Sequence, residues 1–245
     1  MAAEHSPLEQ FEIKSLIPMN IGGLDVSFTN ASLFMVIAIV AITLFLTVGM
    51  RKRAMVPGRF QSMAELMYEF TAGMLKDNVG SEGRKYFPFI FSLFMFILFC
   101  NVIGLIPYTF TVTSQIIVTF AMAAVVFVGV TLIGIFKHGF KFLSFFVPSG
   151  VPFILLIVLV PIEVISYFVR PISLSVRLFA NMLAGHTLLK VFGGFVVVLG
   201  LWLGWMPFLF IVVLTGLELL VALLQAYVFA VLSCLYLNDA LHLHH

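Results

Sequence analysis

The chain has 245 residues, of which 62% are hydrophobic and 10% are charged, and its mean hydropathy is +1.17. A soluble domain typically carries about 25% charged residues, so the composition excludes an ordinary soluble enzyme and indicates an integral membrane protein. The net charge of +2 is too small for the dense basic face of a nucleic-acid-binding protein. The two cysteines, Cys100 and Cys234, lie in apolar stretches and are expected to be buried thiols rather than metal ligands or a disulfide.

The first predicted crossing covers residues 31–50, an uncharged stretch long enough to span a bilayer core of about 30 Å. Arg51, Lys52 and Arg53 follow it, whereas most charges before it are acidic. Basic residues concentrate on the cytoplasmic side of membrane proteins. The asymmetry therefore predicts an N-terminus outside the cell and a basic cluster in the cytoplasm.

Residues 60–77 are predicted to form an amphipathic helix. Their apolar side chains recur at helical spacing with polar residues between them, at Phe60, Met63, Leu66, Met67, Phe70 and Met74. Such a helix can lie on the cytoplasmic surface of the membrane or pack against a partner helix, and the sequence leaves both possibilities open.

Two more crossings are predicted, at residues 87–107 and 112–136. The third ends at Lys137, His138 and Lys141, which again places basic residues in the cytoplasm. Residues 148–238 then form two long helices joined near Gly200–Pro207, which end in the cytoplasm. The whole chain, 1–245, is predicted to be a single membrane domain of the all-α class.

Charged residues interrupt the apolar sequence of this last helical pair. A charge at the centre of a bilayer costs at least about 2.5–3.5 kcal/mol, so it normally faces a cavity or a partner and marks an ion pathway. Glu163, Arg170 and Arg177 are spaced by seven residues and line one helix face, with a drift of about 20° per step. Asn181 shares that face approximately, whereas His186 is rotated by about 180° from Arg177.

The final helix carries Glu218 and Gln225 on one face, because they are also seven residues apart. Glutamate and histidine can exchange protons, whereas asparagine and glutamine can only hold water or orient neighbours. An arginine remains charged and would favour the ionised form of a nearby carboxyl group. At 4 Å and an effective dielectric constant of 20, this attraction is on the order of 4 kcal/mol.

Each of these residues also has an interpretation in which it plays no part in ion transport. Arg170 and Lys190 could extend their charges to the lipid headgroups, and Glu163 could lie at a wet helix end. Arg177 could belong to an internal ion pair, and His186 could be an ordinary hydrogen-bonded histidine. The histidines at the C-terminus are expected to form a solvated tail rather than a metal site.

Residues 171–186, PISLSVRLFANMLAGH, resemble the signature of subunit a of F-type ATP synthase. Residues 101–107, NVIGLIP, are similar to a motif of that family's second crossing, and the resemblance covers nearly the whole chain. Three more positions agree with the family: Glu163, fourteen residues before the arginine, and Glu218 and Gln225 in the final helix.

The resemblance implies a proton-conducting stator subunit packed against a ring of c subunits, each with a buried carboxylate. Arg177 would face those carboxylates and separate two aqueous half-channels. Glu163 would lie on the cytoplasmic exit side. The side on which protons enter would be formed by His186, Glu218, Asn181 and Gln225. The last two helices would form a long, steeply tilted hairpin.

The resemblance also implies the membrane in which the chain lies and the subunits that it contacts. The chain would be a multi-pass protein of a bacterial inner membrane, in contact with the lipid bilayer, the c ring, the b-type subunits of a peripheral stalk and the remaining synthase subunits. It would need no cofactor or metal, and ATP chemistry would take place on other subunits. Some family members exchange the positions of His186 and Glu218; the arrangement here is similar to that of alphaproteobacterial and mitochondrial members, and the exchange suggests that the two side chains cooperate.

Two other functional classes remain as alternatives. A self-contained secondary transporter is expected to show paired repeats around a midplane substrate site, and no repeat is evident by eye. A membrane enzyme is expected to show a nucleophile, zinc or phosphate-binding motif. The sequence contains none of Gly-x-Ser-x-Gly, His-Glu-x-x-His or Gly-x-x-x-x-Gly-Lys-Ser/Thr.

Overall fold

The computed structural model describes residues 11–21, 24–25, 27–51, 57–106, 109–147 and 152–242. Within these ranges the α helices are α1 Asn30–Met50, α2 Arg59–Val79, α3 Phe87–Gly104, α4 Ile116–His138, α5 Phe153–Leu203 and α6 Trp205–Leu241. Tight 3₁₀ segments occupy Ser81–Tyr86, Val112–Ser114 and Gly139–Phe146. Four short strands precede α1: β1 Ser15–Ile17, β2 Asn20–Ile21, β3 Leu24–Asp25 and β4 Phe28–Thr29.

Several predicted features lie outside the described residues. These are the acidic residues up to position 10, most of the first basic cluster (Lys52 and Arg53) and the predicted end of the second crossing (Pro107). The start of the helical pair (Pro148) and the last two histidines (His244 and His245) also lie outside.

Five segments of the described chain are long and apolar enough to cross a membrane: those containing α1, α3, α4, α5 and α6. The predicted fold class, an all-α polytopic membrane protein, is confirmed. Helix α2 is the sixth helix, and it packs against α1, α3 and α6. Its inner face buries Ala64, Thr71 and Leu75, while Phe60 and Leu66 project outward with more than half of their surface exposed.

The connection between α3 and α4 differs in detail from the predicted crossings. Helix α3 ends at Gly104 rather than at Pro107, because a residue before proline is disfavoured in the helical conformation. The chain then makes the 3₁₀ turn Val112–Ser114, and α4 begins at Ile116 rather than at Val112. The hydroxyl of Ser114 donates to the Thr111 carbonyl, a local bond that competes with a regular helix.

The main hydrophobic core is shared by α3, α4, α5 and α6, with a contribution from α2. Helix α6 lies at its centre, because it packs against α2, α3, α4 and α5. The inward face of α5 contributes Leu174 and Leu178, and α6 contributes Phe229. Both cysteines, Cys100 and Cys234, are buried free thiols, as predicted.

Helices α5 and α6 form the long helical pair. Helix α5 is regular from Phe153 to the break at Gly200, and at about 1.5 Å per residue this part is roughly 70 Å long, over twice the bilayer core. It therefore cannot cross the membrane upright. The pair turns at Gly200, whose φ of 60° and ψ of −161° favour glycine. A Cβ at Gly204 would lie 2.4 Å from the Gly200 carbonyl oxygen, so this close approach also requires glycine.

Candidate functional site

The centre of the candidate site is a buried acid–base pair between α5 and α6. The Nδ1 atom of His186 lies 2.5 Å from Oε1 of Glu218. Only 9% of His186 and 4% of Glu218 are exposed. Because an ionised group buried without a partner is strongly unfavourable, the contact explains how both side chains are accommodated among apolar residues.

Both ring nitrogens of His186 have polar neighbours. Its Nε2 atom lies 2.8 Å from the Gly104 carbonyl oxygen and 2.8 Å from the Thr111 hydroxyl. Its Nδ1 atom faces the Glu218 carboxylate and, at 3.1 Å, the Met182 carbonyl oxygen. These contacts fix the orientation of the imidazole ring between α3, the residues before α4 and α6.

Several buried polar atoms of the helices that hold this pair have no hydrogen bond to the described residues. They are Oδ1 of Asn101, Oγ1 of Thr113, Oε2 of Glu218 and Nε2 of Gln225. Buried polar groups are normally hydrogen-bonded to protein or to ordered water. We therefore expect water between α3, the Val112–Ser114 turn and α6.

A cavity of about 170 Å³ lies between α5 and α6 beside Glu218. It is lined by Gly185, Glu218, Asn181, Ala184, Leu188, Leu214, Leu217 and Val221. Several of these residues, including Ala184 and Leu217, are exposed on the outside. The volume has room for several water molecules. At its edge the Asn181 side-chain amide donates to Gln225 Oε1 at 2.9 Å, which joins two of the predicted site residues.

Arg177 lies on the opposite, exposed face of α5 from the buried His186, as their spacing predicts. Its neighbours Leu174 and Leu178 are buried in the core, so the arginine points outward. It makes no ion pair or hydrogen bond with the part of the chain that the structure describes. A charge on the outer face of an apolar helix is unfavourable in lipid, which indicates that another component covers this surface.

Arg170 is paired with a residue of α6, a contact that the sequence did not predict. Its Nη1 donates to Asp239 Oδ2 at 2.8 Å, and its guanidinium lies 5.2 Å from the centre of the Tyr236 ring. An ion pair and an aromatic contact are available because α6 continues past Asp239 to Leu241. Glu163 is half-buried near the start of α5 and makes no contact with the His186–Glu218 pair.

Three residues of the site were not predicted from the sequence: Gly104, Thr111 and Thr113. Asn101 was noted only as part of a motif, yet it is fully buried and donates to the Ala222 carbonyl at 3.1 Å. The signal that could have found the threonines is the polar run of residues 109–115, TFTVTSQ, between two apolar segments.

Fold and site together define a polytopic membrane protein with ionisable side chains inside its helices, the class that moves ions through bilayers. The family model described as ATP synthase A chain matches residues 32–238. The chain belongs to this family and is a membrane-sector subunit of an F-type ATP synthase.

Full-length relatives agree with this assignment, and each carries the name ATP synthase subunit a. The relative from Pelagibacter ubique is 59% identical over 241 residues, which cover 98% of this chain and 99% of the relative. That from Paramagnetospirillum magneticum is 60% identical, with coverages of 98% and 99%. That from Parvibaculum lavamentivorans is 63% identical, with coverages of 96% and 93%.

Proposed function

We propose that this chain is the proton-conducting stator subunit of its synthase and forms two half-channels against a c ring. The observation that carries the proposal is the relation between a buried pair and the outer face of α5. The His186–Glu218 pair joins α5 to α6 and borders a cavity that also reaches Asn181. On the exposed face of α5, Arg177 has no ion pair among the described residues.

The outer half-channel would be the polar region around His186. Protons would reach the pair through water held by Asn101 and Thr113, and would leave Glu218 through the cavity beside Asn181 and Gln225. A ring carboxylate arriving at this surface would be protonated there. The buried polar atoms without protein partners support this path, because such atoms normally bind ordered water.

Arg177 would act on the ring rather than carry protons, because a guanidinium remains charged. A ring carboxyl group brought beside it would lose its proton, and the fixed charge would oppose proton passage between the half-channels. Glu163, farther along α5, would line the cytoplasmic exit. Chemistry on ATP would occur on other subunits, coupled through ring rotation, while b-type subunits would hold this chain still.

Gly185 provides a test of the Glu218 position. A Cβ at Gly185 would lie 2.7 Å from Oε1 of Glu218, so a methyl group there would push the carboxylate away from His186. We expect Gly185→Ala to reduce proton-driven ATP synthesis by about tenfold to a hundredfold, the scale for a displacement of about 1 Å in a reacting group. Synthesis is measured in membrane vesicles per assembled complex.

The matched control for Gly185→Ala is Gly193→Ala in the same helix. A Cβ at Gly193 would meet nothing within 4 Å, and we expect normal synthesis there. Wild-type rates in Gly185→Ala membranes would show that the carboxylate does not need its observed place.

The orientation we propose puts the N-terminus outside the cell and the C-terminus in the cytoplasm, in a bacterial inner membrane. Single cysteines replacing Ser15 and His242 should then react with an impermeant thiol reagent from opposite sides of the membrane. The native Cys100 and Cys234 are buried and provide the unlabelled background. Labelling of both positions from the same side would contradict this topology.

The proposed stator role is tested by the composition of the gently solubilised complex. An affinity tag on this chain should recover a c ring and b-type subunits in constant proportion. Matched membranes carrying the untagged chain provide the control. A chain that purifies alone and binds a solute would instead be a self-contained transporter.

A further inference from the structure

The N-terminal segment reaches the site from outside the helical pair. The ring of Phe11 packs edge-on against the His186 ring, with 6.4 Å between ring centres and an angle of 62° between ring planes. This arrangement lies in the range of favourable aromatic pairs, which are T-shaped or offset with centres about 4.5–7 Å apart. The contact joins residues that are far apart in sequence, so it is not a by-product of local helix geometry.

Two polar side chains hold this segment in place. The Gln115 side-chain amide, just before α4, donates to the Phe11 carbonyl oxygen at 2.7 Å. The Asn30 side chain, at the start of α1, donates to the Glu12 carbonyl at 3.0 Å and accepts from the Lys14 backbone amide at 3.2 Å. Residues 11–14 are therefore held by two polar side chains, one just before α4 and one at the start of α1.

Pairing between β1 and β4 also attaches the N-terminal segment to the chain before α1. In β1 and β4, Ser15 pairs with Thr29 and Ile17 with Phe28 in an antiparallel arrangement, and the Asn30 backbone amide donates to the Lys14 carbonyl at 3.1 Å. The segment from Phe11 to Ile17 is thus tied to the chain that leads into α1.

We propose that Phe11 is a positioning residue of the proton pathway, which closes one side of the His186 pocket and fixes the imidazole ring against Glu218. The remaining sides are closed by Gly104 and Thr111 at Nε2 and by Glu218 at Nδ1. Phe11 covers a side on which the ring has no polar partner among the described residues. This inference rests on the proposed role of His186 and adds the element that holds it.

The test is proton-driven ATP synthesis by the assembled complex in membrane vesicles. Phe11→Ala should reduce synthesis by roughly two- to tenfold, the range that corresponds to loss of one aromatic contact. The amount of assembled complex and its detergent-released ATP hydrolysis should stay at wild-type values. Phe11→Tyr and Phe11→Trp should restore synthesis, because they keep an aromatic ring at the contact.

The matched control is Ile13→Ala, in the same segment but with 48% of the residue exposed; it should leave synthesis unchanged. Gln115→Ala, which removes one anchor, should reproduce part of the Phe11→Ala loss. The double variant should be no worse than Phe11→Ala alone, because both changes act through one contact. Equal losses for Phe11→Ala and Ile13→Ala, no rescue by aromatic residues, or an additive double variant would each overturn the proposal.

A parallel His186→Ala variant distinguishes a failure of the proposed His186 role from a failure of the Phe11 positioning role. Normal synthesis in that variant would remove the proposed role of His186, and the role of Phe11 with it. A strong loss in His186→Ala together with wild-type synthesis in Phe11→Ala would overturn only the positioning role.

Discussion

Exchanging His186 and Glu218 in one double variant will restore part of the ATP synthesis that each single replacement removes. The two side chains are 2.5 Å apart and buried, so His186→Glu alone would place two carboxyl groups in one pocket, and Glu218→His alone would place two imidazoles there. Each single variant leaves two like groups in the pocket, so an ionised group there would have no opposite charge beside it, which is strongly unfavourable. The double variant keeps the same two groups in contact.

The measurement is a mutant cycle on proton-driven synthesis and ATP-driven proton pumping. Residues in contact typically show interaction energies of about 0.5–3 kcal/mol, so the double variant should exceed the product of the singles by at least about twofold. The control is the exchange of Lys137 and Glu82, an ion pair on the surface, which should leave synthesis unchanged.

A double variant as poor as the product of the singles would show that His186 and Glu218 do not communicate. In that case His186 would revert to an ordinary hydrogen-bonded histidine, and Glu218 alone would remain in the proposed outer half-channel.

Much of the fold could be predicted because its signals are local. Long apolar runs predict the crossings, and charges inside α5 and α6 predict helices that do not simply face lipid. The opposite placement of Arg177 and His186 on α5 follows from helical geometry alone. These predictions need only the periodicity of one helix.

The remaining features depend on contacts between distant parts of the chain. The Gly104 carbonyl and the Thr111 hydroxyl reach His186 across 82 and 75 residues of sequence, and no pattern in either segment points to the other. Asp239 lies just beyond the predicted end of the helical pair at residue 238, yet it belongs to α6 and pairs with Arg170. Phe11 lies in a segment that the sequence marks only as mostly acidic. Such partners are set by packing rather than by local propensity.

The surface around Arg177 poses the central question for the proposed mechanism. Arg177 is exposed on α5 and has no ion pair or hydrogen bond within the described ranges. An attraction on the order of 4 kcal/mol between its guanidinium and a ring carboxylate corresponds to roughly a thousandfold change in an equilibrium, since about 1.36 kcal/mol is tenfold. Losing it should therefore reduce ring ionisation to the point at which coupling fails.

The most direct test is Arg177→Ala in fully assembled complex, with ATP synthesis and passive proton flux measured in the same vesicles. We expect synthesis to fall to background and passive flux to rise, because nothing would ionise the ring carboxylates or separate the half-channels. Arg84→Ala, an exposed arginine in the Ser81–Tyr86 segment, should match wild type in both measurements. Wild-type synthesis with no added leak in assembled Arg177→Ala complex would contradict the proposed mechanism.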